Sequence, residues 1–183
     1  MKRNNKRRIL VPMDLSSCTI NLTEQAAKTA EESGAEVVLL HVTHLPGGLP
    51  ARTSIETSRG GAREEAGAYL DGEARAHMQP YLDLLAARGL SASALVAHGD
   101  PAARILEAAR EVEAEMIIMA THGRKGLARW VLGSVAEQVQ RRAEVPVVTL
   151  RTQHGPACKS RGCAWCSAAQ TEAQQRVLAE AEG

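Results

Sequence analysis

Three uninterrupted apolar runs decide most of what this chain can become. Val37-Val38-Leu39-Leu40, Met116-Ile117-Ile118-Met119 and Val145-Pro146-Val147-Val148 show no polar residue at alternate positions. A strand with one wet face alternates. A continuous run fits a strand covered on both faces, as in a parallel sheet sandwiched by helices. The full set of runs is Ile9 to Val11, Val37 to Val42, Ser93 to His98, Met116 to Thr121 and Val145 to Leu150.

Helical patterns fill the intervals. Leu22, Ala26 and Ala30 recur every four residues, and Gly34 closes that pattern as a C-terminal glycine does. A longer helix is predicted from about Glu64 to Arg88, weakened by Tyr69, Gly72 and Pro80, which leaves room for a break near Pro80. Asp100-Pro101 starts another: the aspartate caps, and the proline takes the first helical position. Ser134-Val135-Ala136-Glu137 has the spacing of a capping box and opens the last. Strands alternating with helices predict an α/β fold, a doubly wound, Rossmann-like parallel sheet of five strands. Pro46 to Glu65 lacks periodicity and reads as a mobile loop over one end of the sheet.

Residues 1–7 form a basic N-terminal tail, 8–151 the domain, and 152–183 a Cys-rich C-terminal tail. The core must be aliphatic and alanine-rich, because the 183 residues include no Phe and only two Trp and two Tyr. A net charge of +1 gives no electrostatic case for nucleic acid or a membrane as partner. No apolar window approaches the ~20 residues of a membrane helix. Ile9-Leu10-Val11 breaks at Pro12 and Asp14, so a signal peptide is not expected and a cytoplasmic location is.

In an open α/β sheet, ligands bind beyond the carboxyl ends of the strands. Pro12-Met13-Asp14-Leu15-Ser16 follows the first strand without glycine, so the dinucleotide fingerprint is absent. Asp14 there either accepts hydrogen bonds from a ribose hydroxyl or adenine amine, or caps the next helix. After the fourth strand come Ala120-Thr121-His122-Gly123-Arg124-Lys125-Gly126 and then Gly133-Ser134. Glycine turns, a basic pair and a helix start suit an anion such as a phosphate tail, although Gly133-Ser134 also serves as an ordinary cap.

Ala120 to Gly123, nine residues, then Gly133-Ser134 resembles the nucleotide motif of the universal stress protein family. Ile9 to Ser16, Leu40-His41-Val42, Gly99-Asp100-Pro101 and Val145 to Val148 resemble its flanking elements, in order, over about residues 7–151. The resemblance implies an adenine nucleotide α-hydrolase-like fold that binds ATP with Mg²⁺ or Mn²⁺. It implies that Pro12, Met13, Asp14 and the backbone at Val42 hold the adenosine, and that Ala120 and Gly123 flank ribose and phosphates. Gly133, Ser134 and Val135 would take the phosphate tail, with Arg124 adding charge. The chain departs from the pattern at Ala120, where the family has its first glycine. Dimerisation through the last strand is also implied, and an open apolar edge independently invites pairing. Client proteins are unspecified. No Walker lysine, nucleophile elbow or other ATP-consuming signature is present, so at most slow ATP hydrolysis is expected.

His154, Cys158, Cys163 and Cys166 lie as H-x3-C-x4-C-x2-C in the tail. They are a candidate Zn²⁺ set, a redox-active Cys163/Cys166 pair, or free thiols. This leaves a second functional class open: a nucleotide-free dimeric scaffold or metal/redox sensor.

Overall fold

The computed structural model describes residues 6–15, 19–45, 50–56, 63–122 and 135–152. The chain order is β1 (Arg8–Met13), α1 (Thr19–Ser33), β2 (Glu36–Thr43), β3 (Ser54–Glu56), β4 (Arg63–Glu65), α2 (Ala66–Ala87), β5 (Ala92–His98), α3 (Pro101–Glu111), β6 (Met116–His122), α4 (Val135–Arg142) and β7 (Val147–Thr152). Five strands form one parallel sheet in the order β5-β2-β1-β6-β7. Both faces are covered over the central strands, which is why β2 and β6 do not alternate; on the edge strand β7, Val148 is 38% exposed. Val37 and Leu39 turn to one face with Leu22, Ala26 and Ala30 of α1 and Met78 and Leu85 of α2. Val38 and Leu40 turn to the other with Ile105, Leu106 and Ala109 of α3 and Val139 of α4. Alanines along α1 are fully buried, so the helix axis sits close to the sheet.

Three helices end on the same device. A backbone N–H reaches back to close a wider turn: Ala35 to Ala30, Leu90 to Leu85, and Ala114 to Ala109. The residue before each of these has a positive φ: Gly34 at 68°, Gly89 at 74° and Glu113 at 50°. Glycine takes that conformation without strain; Glu113 does not. At the start of α3, Asp100 accepts from Ala103 N–H at 2.8 Å with Pro101 following, as the sequence predicts.

Two expectations are corrected. α2 runs unbroken through Pro80. The proline is on the exposed side, where water can satisfy the carbonyl it leaves without a donor, while Met78 and Leu85 hold both halves to the sheet. The segment expected as an aperiodic loop carries the antiparallel hairpin β3–β4. Ile55, 1% exposed, forms a small core with Ala66, Tyr69, Leu70 and Leu45. The first N–H groups of α2 are taken by this insertion: Ala66 donates to Thr53 O at 2.8 Å and Gly67 to Ala51 O at 2.9 Å. A Cβ on Gly67 would stand 3.1 Å from Ala51, so the close approach needs glycine. Among the described residues, no helix is long and apolar enough to cross a membrane.

Candidate functional site

The strand order fixes where a ligand can enter. The chain leaves β1 outward to β2 and β5, then returns to lay β6 on the other side of β1. The reversal lies between β1 and β6, and the helices that follow them, α1 and α4, pack on opposite faces. Asp14 follows β1 and Ala120 lies near the end of β6, at the carboxyl ends of these two neighbouring strands.

The two neighbours of β1 are paired to it unequally there. β1 pairs with β2 along its whole length, from Arg8↔Glu36 to Met13↔His41. It pairs with β6 only at Ile9↔Met116 and Leu10↔Ile117. The cause can be read from β1 itself. Arg7 O accepts from Glu36 on the β2 side, whereas Arg8 O accepts from Glu115 on the β6 side. Backbone groups alternate along a strand, so Leu10 and Pro12 also face β6. Pro12 has no N–H for the next rung, and the ladder stops before it. Continuing the same register would set Met13 opposite Ala120.

The turn after β1 is made without glycine. Leu15 adopts a φ of 56°, a left-handed conformation that strains a branched side chain. Its side chain packs against the core of the α1/α2 face, which offsets the strain. Asp14 is exposed, and the described part of α1 begins at Thr19. Pro12 and Met13 are buried, while Val42, Ala120 and Val135 are half-buried. Val42 lies near the carboxyl end of β2 with its side chain on the α3/α4 face. Val135 opens α4. Gly123, Arg124, Gly133 and Ser134 lie outside the described residues, as do His154, Cys158, Cys163 and Cys166. Among the described residues, no three His, Cys, Asp or Glu side chains are grouped to hold a metal.

One residue near the site was not singled out from the sequence for its side chain. His41 is 3% exposed, and its Nδ1 lies 3.0 Å from Met13 O. The signal available was a single imidazole inside the apolar run Val37 to Val42. Burial pushes its pKa below 6.5; the bond to Met13 and the charge of Asp14 oppose that shift, and His77 adds to it.

Residues 6–151 match the model of the universal stress protein family. A universal stress protein of Methanocaldococcus jannaschii is 30% identical over 150 residues, spanning 81% of this chain and 84% of that protein. Among solved structures, a universal stress protein in complex with cAMP aligns at a TM-score of 0.60 and 21% identity, over 81% of this chain and 98% of the other. One from Archaeoglobus fulgidus in complex with dAMP aligns at 0.55 and 23%, over 79% of this chain and 98% of the other. At those identities the two structures show a shared fold.

Proposed function

The chain belongs to the universal stress protein family, and on that premise we propose that it binds ATP beyond the carboxyl ends of β1 and β6. The observation that carries this reading is the end of the β1–β6 ladder at Leu10↔Ile117, at the reversal of strand order. Two proteins of the same fold hold adenine nucleotides, cAMP in one case and dAMP in the other, which supports the class of ligand.

The residues present fit the adenosine half. Asp14 offers an exposed carboxylate suited to ribose hydroxyls, and Val42 offers strand-end backbone groups for the base. The methyl of Ala120 narrows the ribose side relative to glycine and tolerates ordinary strand-end conformations. Gly133, Ser134 and Val135 would receive the phosphates at the start of α4, with Gly123 and Arg124 beside them. A Mg²⁺ or Mn²⁺ ion would be held chiefly by the phosphates themselves and would neutralise their charge. The function is then a cytoplasmic regulatory module, in which nucleotide state biases contacts with a second copy or a client protein.

Titration calorimetry tests the site. The wild-type chain should bind ATP in the micromolar range, and Gly133→Val should abolish binding by filling the phosphate space with a β-branched side chain. Equal affinity in the two proteins would refute the assignment.

A further inference from the structure

His41 lies where β2 meets the loop that carries Asp14. Met13↔His41 is the last rung of the β1–β2 ladder, and the imidazole adds a side-chain bond to Met13 O. A carbonyl only accepts, so Nδ1 must carry the proton and donate. That assigns the Nδ1–H tautomer and ties the ring to the residue preceding Asp14. The loop turns at once through left-handed Leu15, a conformation that needs holding from both sides. Leu15 is held by core packing on one side, and Met13 by His41 on the other.

The surroundings define what protonation of this ring would do. Asp14 interacts with it from the β1 loop and His77 from α2. On the same sheet face, His98 of β5 stands 2.8 Å from Asp71 of α2, a contact without hydrogen-bond geometry. Arg75 of α2 donates to Ala94 O of β5, and Tyr81 of α2 packs against the same core. The buried residues of α1, among them Thr19, Leu22, Thr23 and Ala26, carry no charge. Asp14 is therefore the one anion that acts directly on His41 among these groups.

We propose that His41 is the positioning residue of the nucleotide site: it fixes the Asp14 loop through Met13, and its protonation draws the Asp14 carboxylate from the ligand. This rests on the proposed role of Asp14 and adds regulation of that site by acid. The neutral ring holds Met13 and leaves the charge of Asp14 to the ribose. A proton on Nε2 creates a buried cation held to the residue before Asp14, whose charge acts on it, and ligand and ring then compete for one carboxylate.

The test uses the full chain. Nitrogen NMR of the imidazole should show the Nδ1–H tautomer near neutral pH and a midpoint below 6.5. Asp14→Asn should lower that midpoint further, and the Leu15 amide should titrate in step with the ring. By calorimetry, ATP affinity should fall about tenfold per pH unit below the midpoint. His41→Asn keeps a donor near Nδ1 without titrating, and should retain affinity near neutral pH and flatten the acid fall. His41→Leu removes the donor at similar volume, and should bind about tenfold more weakly even at neutral pH. An Nε2–H tautomer, a Leu15 amide that ignores the ring, or an unchanged acid fall in His41→Asn would each overturn the proposal. Failure of ATP to bind at any pH, with the ring and Leu15 titrating together, would instead refute the nucleotide reading and support the coupling of His41 to the Asp14 loop.

Discussion

Replacing Pro12 with alanine tests whether one missing donor ends the β1–β6 ladder. In Pro12→Ala the new N–H faces β6 at the level where pairing ceases. Formed, that rung is worth about 1 kcal/mol net. Losing proline also frees the unfolded chain, which costs about 0.4–1 kcal/mol. The two nearly cancel, so urea denaturation should place the variant within about 1 kcal/mol of wild type. The nucleotide does not share that cancellation. The new rung would hold the end of β1 to β6 just before the Asp14 loop, and on the proposed reading a loop held there binds less well, so ATP affinity should fall about fivefold. Calorimetry reads the affinity, and hydrogen exchange of the residue-12 amide reports whether the rung forms. A protected amide with weakened binding is expected. An unprotected amide together with unchanged affinity would show that something other than Pro12 ends the ladder.

Glu113→Gly should stabilise the fold by about 0.5–1 kcal/mol in urea, because it relieves the left-handed strain that Gly34 and Gly89 avoid in the matching turns. His41 should impose an acid slope on stability. Its folded pKa lies below the ordinary 6.5, so the unfolded chain binds the proton first as pH drops. Unfolding free energy should then decline by up to about 1.4 kcal/mol per unit from 6.5 down to the folded pKa, and His41→Asn should remove that decline in denaturation curves. The outer edge of β7 is proposed to pair with a second copy centred on Val147 to Leu150. Light scattering should report a dimer for wild type and a monomer for Val148→Lys, which places a charge on a valine 38% exposed. Metal analysis should find about one zinc per chain, retained in Cys18→Ser and lost in Cys163→Ser, if His154, Cys158, Cys163 and Cys166 ligate as a set.

Much of the fold was legible because its signals are local. Continuous apolar runs marked the buried strands, and Asp100-Pro101 marked the start of α3 to the residue. The hairpin β3–β4 was not legible: each strand has three residues, and Ile55 is the only buried position in the pair. Its stability comes from Tyr69 and Leu70 on α2, which a window over residues 46–65 does not contain. At the candidate site, the place of Asp14 just after the first strand was legible. The early end of the β1–β6 ladder was not, because it depends on which neighbour Pro12 faces, and that follows only once β6 is known to lie beside β1. The roles of His41 and Leu15 were hidden for the same reason, since both depend on contacts with other strands or helices rather than on residue type.

The arrangement also bears on how the chain is made. β1 is complete by residue 13, yet its second neighbour begins at Met116. At roughly 5–20 residues per second of synthesis, that edge of the central strand waits several seconds or more for its partner. In that interval β1, β2 and β5 can assemble with α1 and α2, leaving Arg8, Leu10 and Pro12 facing outward. A nascent edge of this kind invites pairing with another ribosome's product. Pro12 leaves no N–H at the end of it, and Arg8 sets a charged side chain at its start, so the residue that later ends the β1–β6 ladder would first discourage pairing with the wrong strand.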